Sequence, residues 1–275
     1  MSTLTAEPTA ARTRPEYKVT GVHVLRSEWA KLWSLRSTWI TLSLSLVILI
    51  GFGLIFASTY SSRGGDGRGP GSDVQDGIAV ALGGINFAQL ALGVLGVLVM
   101  AGEYSTGMIR STLAAVPTRL PVLWSKIAAF GAVAFLVSTV AVFVSFFATQ
   151  GVLSGTDLAL GISDSGVVRS LLGAGAYLAL AGVLGVALGA LLRSVAGGIG
   201  LLVVTLMLLP VFTGLLSTDL QDDISPYLPS NAGGSMFAFH QASNTLSPGA
   251  GLAVLVGWVA LAVAGAAWRL RRSDA

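Results

Sequence analysis

The sequence has no cysteine, which removes disulfides, thiolate metal sites and cysteine nucleophiles together. Histidine is almost as scarce. His23 and His240 are the only two, too far apart in sequence to predict a multi-histidine metal centre. Charged residues make up 11% of the chain, against roughly 25% in soluble domains. No GxxxxGK[ST] phosphate loop, HExxH pair or GxSxG elbow occurs. The chain is therefore expected to bind no cofactor, catalyse no reaction by itself and contact no nucleic acid.

Apolar residues fill the space left by these absences. They form 53% of the sequence, and mean hydropathy is +0.79, values that place the chain among membrane proteins. Six apolar runs fall at 39–57, 79–101, 127–148, 171–192, 196–216 and 250–268, and none contains Asp, Glu, Lys or Arg. Each approximates the roughly 20 residues needed to cross about 30 Å of hydrocarbon at about 1.5 Å per residue. The predicted fold is an all-α membrane protein with a six-helix domain over 39–268.

Basic residues set the expected orientation. Of 16 Lys and Arg, 13 fall in the amino-terminal arm, the 102–126 loop, the turn at Arg193 and the tail; only Arg63, Arg68 and Arg169 fall on the other side. This bias predicts cytosolic termini. Residues 1–21, with Pro8, Pro15 and no apolar run, predict a disordered cytosolic arm, and 269–275 a basic cytosolic tail. No cleavable signal peptide is expected, because the first apolar run starts only near Trp39.

The stretch 22–38 has helical periodicity. Val22, Leu25, Trp29, Leu32 and Trp33 share one face, while Arg26, Ser27, Lys31 and Ser34 point elsewhere. Tryptophan beside basic residues predicts a helix lying in the inner headgroup layer, or a plain basic flank anchoring the first span. Of the loops on the other side, 58–78 is Gly-rich and polar, hence flexible. The longer 217–249, with Pro226, Pro229 and Pro248, predicts short helices dipping into the outer leaflet or capping the spans.

Between the second and third runs lies 102–126, GEYSTGMIRSTLAAVPTRLPVLWSK, broken at Pro117 and Pro121. Glu103, Thr106, Gly107 and Arg110 follow at three- and four-residue steps, which predicts one polar face of a short helix. A contact surface for a cytosolic partner and a merely solvated loop both fit this pattern.

Within the spans, the polar groups are uncharged: Asn86, Gln89, Ser138, Thr139, Ser145 and Thr205. A proton- or sodium-coupled transporter usually places carboxylates or histidines there, so any uphill transport would draw its energy from a partner. Asn86 and Gln89 share a helix face and either line a path or bond between helices. Pro210 predicts a kink, for gating or for static packing. Gly185 and Gly189 form a GxxxG pair that permits close helix approach.

The segments LRSEWAKLWSLRSTW and GEYSTGMIRSTLAAVPTRLPVLWSK resemble the membrane subunits of bacterial ATP-binding-cassette exporters of the type-2 permease family. YLPSNAGGSMF, over 227–237, resembles the extracellular segment before the last span in actinobacterial members. The resemblance implies a bacterial plasma-membrane protein with a second permease subunit, as homodimer or heterodimer, and a cytosolic ATPase that carries ATP and Mg. It implies an amphipathic connecting helix containing Glu28, Trp29, Lys31, Trp33 and Arg36. It also implies a coupling segment containing Glu103, Tyr104, Thr106, Gly107, Arg110, Pro117 and Arg119. Asn86, Gln89, Thr205 and Pro210 become candidates for lining a path at the dimer interface. A non-transporting membrane anchor or signalling partner of a cytosolic complex is the rival expectation.

Overall fold

The computed structural model describes residues 20–62, 76–116, 119–215, 217–241 and 244–272, and every regular element among them is helical. Most of the amino-terminal arm, the Gly-rich 63–75 with Arg63 and Arg68, Pro117 and the last three residues of the tail lie outside the described residues. Six helical stretches are long and apolar enough to cross a membrane, which makes this a multi-pass membrane protein.

Helix α1 covers Gly21–Ser34 and α2 covers Arg36–Ser62. They are separate because Leu35 takes an extended conformation, φ −83° and ψ 107°. Arg36 consequently opens the first span and does not belong to the amphipathic helix, a correction to its expected place. The second expected span also divides. α3, Gly77–Ala81, is a short helix whose Asp76 cap accepts the Ala79 amide at 2.7 Å, and α4 runs Ile85–Ser105 after a turn. α5, Met108–Ala115, follows α4 after Gly107, whose φ of +74° is readily available only to glycine.

α6 runs Leu120–Leu153, 34 residues or about 51 Å, so it extends well beyond the hydrocarbon layer. Pro121 starts this helix where a break was expected. In the first turn its missing N–H has no intrahelical acceptor to satisfy. α7 covers Val167–Leu192 and ends at Arg193, in the left-handed conformation. α8, Val195–Val203, begins with the Ser194 side chain accepting the Gly197 amide at 3.3 Å.

At Pro210, where a kink was expected, the observed change is in the winding of the helix. The turn before it, Val204–Leu208, is π-helical, and α9 resumes over Leu209–Thr213. A proline here cannot donate to the carbonyl one turn back and would clash with it; widening the turn accommodates the ring. Then come α10 (Thr218–Ile224), a 3-10 turn (Ser225–Tyr227), α11 (Pro229–Phe237) and the last span, α12 (Pro248–Arg272). The segment after the fifth span thus contains short helices, as the prolines imply.

α7 occupies the centre, packed against α4, α6, α8, α11 and α12. Its seam with α4 is backbone on backbone. A Cβ at Gly185 would run into the Gly93 carbonyl, and one at Gly96 into the Gly182 carbonyl. The GxxxG pair of Gly185 and Gly189 sits in this seam, where Gly189 faces Val97. At the end of the bundle away from α5, Gly233 of α11 packs on the Tyr177 ring and Gly173 of α7 on the Met236 carbonyl.

Candidate functional site

The polar segment between α4 and α6 meets α1 in a ring of four charges. Glu28 on α1 is 3% exposed, Glu103 near the end of α4 is 4% exposed, and Lys126 in the first turns of α6 is 2% exposed. Lys126 Nζ donates to Glu28 Oε2 at 2.5 Å and to Glu103 Oε1 at 2.8 Å. Lys31 Nζ donates to Glu28 Oε1 at 2.7 Å and to Glu103 Oε1 at 3.1 Å. Each ammonium therefore touches both carboxylates, and the ring is electrically neutral. Thr112 of α5 adds a long contact, with Lys31 Nζ 3.5 Å from its Oγ1.

The chain builds this arrangement locally before it closes it globally. Glu28 and Lys31 are three apart on one helix and pair without tertiary help. Lys126 and Glu103 stand at the margins of two spans, where an apolar run stops and a charge is tolerable. Taking them out of water is costly, and the close ion pairs with their several hydrogen bonds offset that cost. Burial alone would lower the Lys31 pKa. The hydrogen bonds and negative charges of Glu28 and Glu103 outweigh it and hold the ammonium above its usual value.

The ring sets the direction of two faces. On α1, the buried side carries Val24, Glu28 and Leu32, while Val22, Leu25, Trp29 and Trp33 are exposed. The tryptophan face is real, but it points away from the rest of the chain; Leu32, assigned to it, points inward. The Trp33 ring centre lies 4.7 Å from that of Trp39, the planes tilted by 54°, and 6.2 Å from that of Trp29. Arg36 is exposed at the end of this ladder.

On the coupling segment, Glu103 and Arg110 do not share a helix face. Gly107 turns the chain between them, leaving Glu103 buried in the ring and Arg110 exposed on α5. Glu103 therefore cannot present its charge to another protein. Thr106 caps α4, its hydroxyl donating to the Gly102 carbonyl at 2.9 Å. Tyr104 lies under the Arg193 guanidinium, 5.2 Å from the ring centre. Arg119, at φ 55°, donates to the Leu270 carbonyl of α12 at 3.4 Å. Pro117 lies outside the described residues. Ile109 and Leu113 anchor α5, while Met108, Arg110 and Ser111 are left exposed on its other side.

The four path candidates do not form one surface. Gln89 is buried, accepts the Tyr177 hydroxyl from α7 and donates to Asn86 Oδ1 at 3.3 Å. Of the two readings of this pair, the hydrogen bond between helices is the one observed for Gln89. Asn86 itself is exposed. Thr205 is buried and donates to the Leu201 carbonyl at 2.7 Å, and Pro210 follows the π turn. The exposed side of α8 and α9 is apolar, with Leu201, Val204, Met207, Val211 and Phe212.

Sequence reasoning counted Lys126 only among the basic residues of the 102–126 segment and left Thr112 unassigned. The signal for the ring was present: opposite charges at the ends of apolar runs, where an unpaired charge would be expensive. No protein-family model and no curated protein matches this chain.

Proposed function

We propose that this chain is the transmembrane permease subunit of an ATP-binding-cassette exporter, with α5 as the docking surface for a separate cytosolic ATPase. One observation supports this reading above the others. A short helix with an exposed polar side, carrying Arg110 and Ser111, sits beside the ring of charges that joins α1, α4 and α6, and its Thr112 touches that ring through Lys31 at 3.5 Å. A push on this helix is passed to α4 through the turn at Gly107 and to the ring through Thr112. The resemblance of the segments around α1 and α5 to type-2 permeases favours the same reading.

In this proposal the charge-rich end of the bundle and both termini are cytosolic, following the basic asymmetry. The exposed tryptophans of α1 rest in the inner headgroup layer, where an amphipathic ring suits the boundary. A second permease subunit completes the path. ATP and Mg are bound, and ATP hydrolysed, by the ATPase. The docking role falls to the exposed residues of α5, and Glu103 serves as a positioning residue.

Arg110→Glu tests this reading. When the chain is expressed with a candidate partner ATPase that co-purifies with the wild type, the variant is expected to insert at wild-type levels and lose that co-purification. Wild-type co-purification and export would assign α5 to solvent. Because the chain has no native cysteine, single cysteines test orientation directly. Ser154→Cys should label from outside intact cells and Ser111→Cys should not.

A further inference from the structure

At the end of the bundle opposite the charge ring, α10, the 3-10 turn, α11 and the stretch before α12 enclose a cavity of about 310 Å³. Its polar lining includes Asp222, Ser225, Ser230, Asn231, Ser235 and Asn244. We propose that this cavity binds a neutral polyhydroxylated ligand, a sugar ring either free or borne on a lipid or glycan.

The lining is held in place before any ligand arrives. Asn231 Nδ2 donates to the Ser225 carbonyl at 2.9 Å and to Ser225 Oγ at 2.7 Å, fixing its amide. Asn244 Nδ2 donates to Asp222 Oδ1 at 3.3 Å, which orients the carboxylate across the cavity. Ser235 is 4% exposed and donates to the Ala232 carbonyl at 2.8 Å. Ser230 differs: its Oγ is shut off from solvent and has no hydrogen-bond partner among the described residues. That oxygen has no surface open to the cavity, so the groups a ligand would meet are the carboxylate of Asp222 and the amides of Asn231 and Asn244.

The chemistry of the lining selects the ligand. Among the described residues no Lys or Arg lines it, so a phosphate, sulfate or carboxylate would find no counter-charge there. A single carboxylate, already sharing one oxygen with an amide, is a poor cage for a cation. Amides, hydroxyls and one carboxylate together offer donors and acceptors at close spacing, the mixture that adjacent sugar hydroxyls need. The volume lies at the small end of ligand cavities, which run from roughly 300 to 1,000 Å³, and admits one ring more readily than a long chain. The inference is independent of the exporter proposal, since it needs no ATPase and no second subunit.

The test uses the full chain in a zwitterionic, sugar-free detergent, with saturation-transfer NMR against glucose, galactose, mannose and N-acetylglucosamine. A parallel arm uses nanodiscs with or without a monoglycosyl diacylglycerol. Binding in the first arm indicates a free sugar; binding confined to the second indicates a lipid-borne one. Asp222→Ala and Asn244→Ala should each weaken binding by roughly tenfold, the loss of about one good hydrogen bond. Asp222→Asn provides a second variant that preserves the shape of the site.

No binding in either arm would overturn the proposal, as would binding that neither Asp222→Ala nor Asn244→Ala alters. Spermidine bound in place of sugars, with dependence on Asp222 alone, would reassign the site to cations.

Discussion

The charge ring and the glycine seam both hold helices together, but by opposite means. In the ring, Glu28, Lys31, Glu103 and Lys126 fill a buried junction with charges that tolerate burial only in each other's company. In the seam, Gly93 and Gly96 of α4 meet Gly182 and Gly185 of α7 with no side chain between the backbones. The ring is therefore vulnerable to the removal of an atom group, and the seam to the addition of one. Charges at the membrane edge still have water nearby during assembly, whereas in mid-membrane dispersion between close backbones is the available adhesive.

The largest expected effect is at the ring. Lys126→Met leaves two buried carboxylates facing one lysine and should cost roughly 3–5 kcal/mol in thermal unfolding of the purified protein. Replacing all four residues with Leu or Met of similar volume should restore stability to near wild type, since buried ion pairs rarely exceed well-packed apolar groups. If the fourfold variant is as unstable as Lys126→Met, the ring contributes net stability and the contrast with the seam fails.

Gly185→Leu should come next, at about 1–3 kcal/mol, because even its Cβ meets the Gly93 carbonyl. Val211→Leu, on the exposed side of α9, should change stability by no more than about 0.5 kcal/mol. Equal losses at the two positions would show that the seam is not a close contact.

The smallest effect is a pH dependence. The Lys31 pKa is raised in the folded chain, so its contribution is complete below the usual lysine value of 10.5 and disappears as pH climbs through the raised one. Wild-type stability should consequently fall more steeply above about pH 10.5 than that of Lys31→Met, measured by melting temperature across alkaline buffers.

Much of the fold was legible in the sequence because crossing hydrocarbon requires long uncharged runs, and these are visible one residue at a time. The centres of all six expected spans fall within the six observed helices; the ends do not, since helices such as α6 continue past the apolar core. Arg36 and Pro121 were misplaced for the same reason. Whether Leu35 interrupts a helix, or Pro121 begins one, depends on backbone geometry that periodicity does not record. The direction of Glu103 was illegible because its partners Lys31 and Lys126 lie 72 residues before it and 23 after it in number.

Composition alone determined that this chain has six apolar helices, no thiol chemistry and a strongly basic end. Tertiary structure decided which helix became the centre. α7 and the α8–α9 stretch have mean hydropathies of 2.1 and 2.4, yet 78% of one apolar window is buried and 22% of the other. Hydropathy measures preference for leaving water, and lipid satisfies that preference as well as protein does. The glycines and alanines of α7 let neighbouring backbones close around it, whereas the large side chains of α8 and α9 point outward. Contact between helices is settled by shape, and shape exists only once the helices have met.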